Sequence, residues 1–105
     1  MAGYIYILIN ESFIEYIKIG HTKYEPRERA KQISKPTGVP TPYHVAFEIF
    51  VSDRCKEIEN QIHSRLDGFR VKENREFFRY PLNDAIKLIK DICSEAGVIA
   101  EKQSI

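Results

Sequence analysis

Long apolar runs are missing from this chain. None approaches the roughly 20 residues that a membrane-spanning helix needs, so no transmembrane segment is expected. Cysteine is scarce as well. Cys55 and Cys93 stand far apart without metal-type spacing, which argues against a zinc site or a disulfide framework. They read instead as buried thiols in a reducing compartment. The opening residues carry no basic segment, so a signal peptide is not expected, and with the thiols this points to the cytoplasm. Net charge is nearly absent at +1 and favours no class of partner by itself. No internal repeat or low-complexity tract appears.

What is present fits one ordinary domain. The 105 residues, 43% hydrophobic and 30% charged, suffice for a single core and argue against wholesale disorder. We place that domain at residues 1–97 and expect residues 98–105 to form a frayed tail. Charge is unevenly distributed. Lys18, Lys23, Arg27, Arg29, Lys31 and Lys35 stand against only Glu25 and Glu28, and Arg65, Arg70, Lys72, Arg75 and Arg79 form a second basic cluster. Such patches hold phosphates or are simply solvated helix faces.

Gly3-Tyr4-Ile5-Tyr6 and Tyr16-Ile17-Lys18-Ile19-Gly20 both alternate with the two-residue period of a strand, and Asn10-Glu11-Ser12 between them has turn chemistry. Pairing them as a hairpin puts Ile5, Ile7, Ile9, Ile17 and Ile19 on the apolar faces. Tyr4, Tyr6, Tyr16, Lys18 and Gly20 then point to the other side. That opposite face displays phenols, an amine and a gap, which suggests a site as well as ordinary packing.

Pro26 suits the first turn of a surface helix ending near Ile33 or Ser34. The segment from Pro36 to Pro42 reads as a rigid loop. A third strand is expected over residues 43–51. Ser52-Asp53 is expected to cap a helix with Cys55, Ile58, Ile62 and Leu66 inward and Glu59 and His63 on one face. Asp67-Gly68 ends that helix, and Glu76-Phe77-Phe78-Arg79-Tyr80 has the composition of a short extended piece. Pro81 opens a last helix, closed by Gly97, with Ala85, Ile86, Leu88, Ile89, Ile92 and Cys93 inward. Ile58, Ile62, Ile86 and Ile89 are expected to be buried. The result is an α+β domain with a small, mainly antiparallel three-stranded sheet flanked by helices.

Tyr4-Ile5-Tyr6 followed by Lys18-Ile19-Gly20 resembles the paired motif of the GIY-YIG nuclease superfamily. His21-Thr22, Glu59 with His63, Arg65-Leu66, Arg70-Val71 and Arg75-Glu76-Phe77-Phe78 are similar to one branch of it. That branch comprises phage-type domains labelled DNA-binding and meiotically up-regulated-gene domains. The resemblance spans roughly residues 3–88. It implies a divalent-metal-dependent endonuclease, with Tyr6 activating water, Arg29 contacting the scissile phosphate, His21 in a supporting catalytic role and Glu59 binding Mg²⁺ or Mn²⁺. Lys18, Lys23 and Arg27 are then expected to bind nucleic acid, DNA in the first place, without any membrane association. The chain departs from the motif at Tyr4, where the name-giving glycine belongs, and at Lys18, where its tyrosine belongs. No clear counterpart to the family's late asparagine is present. A catalytically weakened nucleic-acid-binding module on the same fold is the alternative, and a protein-interaction domain is a third class.

Overall fold

The computed structural model describes residues 1–34, 41–71, 75–98 and 103–104. Along the chain run β1 (Gly3–Ile9), β2 (Ile17–Thr22), α1 (Pro26–Ser34), β3 (His44–Val51), α2 (Cys55–Arg65), β4 (Phe77–Phe78), α3 (Leu82–Ala96) and β5 (Gln103–Ser104). The three expected strands form the centre of one antiparallel sheet in the order β4-β2-β1-β3-β5. Each edge is extended by a two-residue strand. Of the tail expected at 98–105, Gln103 and Ser104 pair with Ile49 and Glu48. The expected loop at 36–42 lies mostly outside the described residues, as do Lys35, Lys72, the connection at 72–74, and residues 99–102 and 105.

Alternation in β1 and β2 gives the sheet two unlike faces. Ile5, Ile7, Ile17 and Ile19 are buried on one face with Phe47, Ile49 and Val51. They meet Ile58, Ile62, Leu66, Ala85, Ile89 and Ile92 of α2, α3 and the residue just past α2. Cys55 and Cys93 belong to this core, and burial pushes both thiols up to about 11. On the other face Tyr6 and Leu8 pack beneath Ala30 of α1. This second layer is thinner, matching the narrow apolar stripe of α1.

Three local expectations need correction. Ile9 is 38% exposed, not a core residue, because the β1–β3 register shifts between Ile7 and Leu8 just before it. A bulge of this kind bends the strand and re-aims the side chains beyond it. Ile86 is only half-buried; Ala85 and Ile89 hold the centre of the α3 face. The start of α2 is set by Arg54 and not by Ser52-Asp53. Arg54 adopts a left-handed backbone (φ 57°) without a capping side chain, while Asp53 Oδ1 contacts the Met1 nitrogen at 2.8 Å. Left-handed geometry is uncommon for a side-chain-bearing residue. Here Arg54 Nη2 also donates to the Ala96 carbonyl at 2.5 Å, tying α2 to the end of α3.

Other local signals hold. Asn10 accepts the Ser12 N–H at 2.9 Å and donates to the Thr41 carbonyl at 2.8 Å, pinning the β1–β2 turn. Gly97, at φ 72°, closes α3 with its N–H on the Ser94 carbonyl.

Candidate nucleic-acid interface

Tyr6 sits in the middle strand opposite Gly20 on β2 and Glu48 on β3. Opposed residues share a face, so the missing side chain of Gly20 lies directly beside the Tyr6 ring. A Cβ built on Gly20 would meet the Tyr6 hydroxyl at 2.5 Å and Cζ at 2.8 Å. Glycine inside a strand marks such a close approach. It lets the phenol cross β2 toward that strand's outer edge. Tyr6 is nonetheless only 1% exposed. Burial pushes its hydroxyl above the ordinary value of 10.0, against the pull of the Arg29 guanidinium. The charges of Glu76, Arg29 and Glu59 all act on it.

The outer edge of β2 changes character along its length. Ile17 and Lys18 pair with Phe78 and Phe77, and the Ile19 N–H donates to the Glu76 carbonyl at 3.0 Å. The Ile19 carbonyl instead meets His63 Nε2 of α2 at 2.8 Å, which makes Nε2 the protonated nitrogen. Among the described residues, no strand pairs with Gly20, His21 and Thr22 on this side. One turn before His63, α2 presents Glu59 to that unpaired stretch.

Glu59 is 2% exposed, and a carboxylate so buried requires partners. His21 Nδ1 lies 3.0 Å from Glu59 Oε1, and Lys56 Nζ lies 3.3 Å from the same oxygen. The His21 approach lacks hydrogen-bond alignment, so Nδ1 is buried without a hydrogen bond. Both contacts fall on the same carboxylate oxygen, Oε1. No group of three or more His, Cys, Asp or Glu gathers as a metal cage among those residues. The donor set nevertheless fits Mg²⁺ or Mn²⁺ held by one carboxylate oxygen, since Mg²⁺ keeps several waters and needs only one or two carboxylates.

Lys18 takes a different position from the exposed phosphate ligand expected of it. It is only 8% exposed, its ammonium is bonded to Glu76, and it lies over the Phe77 ring at 5.3 Å. Burial raises the Glu76 carboxyl, but the Lys18 hydrogen bond and charge, with His63 and Arg29, hold it below 4.5 overall. The face expected to display an amine and phenols is therefore largely covered. Fifty-eight residues separate this pair in sequence, which hides it from a local reading.

The remaining site residues divide. Lys23 and Arg29 line a cavity of about 430 Å³ with His21, Tyr24, Gln32 and Lys56. Arg27 faces another cavity, beside Ala30, Lys31 and Tyr43. Residues two apart on a helix do not share a face, so Arg27 and Arg29 serve opposite sides of α1. Lys56, Glu59, His63, Arg70, Arg75 and Glu76 border a third cavity of about 420 Å³. Sequence reasoning misses Lys56 and the pairing role of Glu76. The three-residue spacing of Lys56 and Glu59 is an available signal for the first.

Tyr6, Arg29, His21 and Glu59 thus come together at the unpaired end of β2. Lys18 joins them through Glu76, and Arg27 stays apart. No helix among the described residues is long and apolar enough to cross a membrane. No curated protein and no solved structure matches this chain. A family model described as the T5orf172 domain matches residues 3–93, which takes in every residue of this interface. The chain belongs to the T5orf172 domain family.

Proposed function

We propose that the protein is a Mg²⁺- or Mn²⁺-dependent endonuclease of the GIY-YIG type that hydrolyses phosphodiester bonds in nucleic acid, DNA in the first place. The observation that carries this reading is the convergence of a phenol, a guanidinium and a buried carboxylate at one open strand edge. In the proposed reaction a water oxygen attacks phosphorus and the bond to the leaving ester oxygen breaks. Burial holds Tyr6 as a neutral phenol, so it takes the water's proton only as a relay that passes its own proton on, through solvent, to the leaving ester oxygen. Arg29 offers planar paired donors to a non-bridging phosphate oxygen. Glu59 Oε2 would hold the metal ion, with Lys56 fixing the carboxylate through Oε1 and His21 lying beside the same oxygen. When bound, that ion polarises water and neutralises charge on the leaving oxygen.

The test is a cleavage panel of single-stranded, duplex and branched substrates with Mg²⁺, with Mn²⁺ and with chelator. Cutting is expected only with a divalent ion, and Glu59→Gln should lose both cutting and Mn²⁺ binding measured by calorimetry. Arg29→Ala should weaken binding and turnover together, because one guanidinium serves ground state and transition state. One observation favours a second reading, a binding module without turnover. Lys18 stands where the motif has its second phenol and is committed to Glu76. Binding across the whole panel without any cutting would establish that alternative.

A further inference from the structure

We infer that the two cavities that meet at Lys56 form one groove for a single polynucleotide strand, with Tyr24 as a base-stacking platform at one end. The inference rests on the nucleic-acid reading of the site and names the form of the substrate. Lys56 borders both cavities and contacts Glu59 of the second, so they adjoin at the start of α2. From Lys56 to Ser64 that helix advances about 12 Å, room for more than one phosphate. Cations stand along the path, and the two carboxylates in it, Glu59 and Glu76, are paired with Lys56 and Lys18. Lys23 and Arg29 stand on one side of Lys56, and Arg70 and Arg75 on the other.

Arg70 is the best-fixed of these. Its guanidinium lies 5.4 Å from the Phe78 ring centre and Nη2 donates to the His63 carbonyl at 3.2 Å, while Nε, buried without a hydrogen bond, lies 3.7 Å from Asp67 Oδ1. Asn60 and Ser64 add neutral polar groups to the same cavity. A row of cations with polar groups between them tracks a backbone without reading its sequence.

Tyr24 supplies what a purely ionic track lacks. Its ring is 68% exposed and borders the cavity of Arg29, with Lys23 Nζ 5.9 Å from the ring centre. The Tyr24 N–H donates to Thr22 Oγ1 at 3.1 Å, which fixes the backbone that carries the ring. An exposed aromatic beside a cationic groove is the arrangement on which unpaired bases stack, and a base inside a duplex offers no free face. The preferred substrate is therefore a single strand, or an unpaired segment next to a junction.

Fluorescence anisotropy in chelator, where no cutting occurs, separates this inference from the catalytic reading. The probes are a labelled oligonucleotide and its duplex of the same sequence. The wild type should bind the single strand more tightly than the duplex. Tyr24→Ala should weaken single-strand binding about tenfold, or 1.4 kcal/mol, and barely change duplex binding. Tyr24→Phe, which keeps the ring, should bind as the wild type does. Arg75→Ala should weaken both forms and flatten the salt dependence. Equal or tighter duplex binding, or a Tyr24→Ala variant that binds the single strand normally, would overturn the groove while leaving a nuclease reading standing. Absence of binding to either probe would remove both.

Discussion

Where α2 and α3 cover the sheet, the buried residues are apolar apart from Glu59; on the other face a phenol, an amine and a missing side chain share the surface with Leu8 and Ala30. Both faces come from the same two strands, because alternation sends Ile5, Ile7, Ile17 and Ile19 one way and Tyr6, Lys18 and Gly20 the other. The two faces are vulnerable in different ways. The first loses stability when volume is removed. The second already holds a buried phenol and a buried lysine ion-paired to a half-exposed carboxylate, and these need particular partners. Stability therefore concentrates on one face, and the candidate site sits at the edge of the other.

The comparison breaks most visibly on the first face. Ile58→Ala or Ile62→Ala, both at fully buried positions, should each cost about 2–5 kcal/mol in a denaturant melt. On the second face, Gly20→Ala should cost about 1–3 kcal/mol, since the new methyl runs into the Tyr6 ring. A double-mutant cycle sharpens this: in a Tyr6→Leu background the Gly20→Ala cost should shrink. Acid titration probes the ion pair. Glu76 is held below 4.5 in the fold, so it contributes stability above that pH and loses it as pH falls through the folded value. In Lys18→Met the main cause of the depression is gone, and the acid dependence of the melt should flatten by about 1 kcal/mol or less for this half-exposed carboxylate. Smallest of all is Ile14→Ser. That side chain is 85% exposed and belongs to neither layer, so its melt should move by less than about 0.5 kcal/mol.

Periodicity made the first face legible in the sequence. Three strands, three helices and the burial of Ile58, Ile62 and Ile89 follow from apolar spacing that one segment carries by itself. Pro26 and Gly97 marked helix ends through their own backbone geometry. What stayed hidden depends on residues distant in sequence. A strand as short as Phe77-Phe78 exists because the edge of β2 is there to pair with it. Lys18 is buried because Glu76 meets it, and His63 is oriented by a carbonyl on another element. Ile9 escaped the core through a register shift that alternation in β1 alone does not record. Within the site, residue types at motif positions named Tyr6, Arg29 and Glu59. The role of Gly20 as the gap beside Tyr6 needed the register of both strands.

The central claim is that the buried Tyr6 hydroxyl serves chemistry, and the most direct measurement is metal-dependent cleavage by Tyr6→Phe beside its melt. Phenylalanine keeps the ring between Gly20 and Ala30 and removes only the oxygen. Cutting should fall by a factor of about 10²–10⁴, the usual worth of a positioned proton-transfer group, with the melt and nucleic-acid binding close to wild type. A Tyr6→Phe protein that folds, binds and cuts as fast as the wild type would contradict the account.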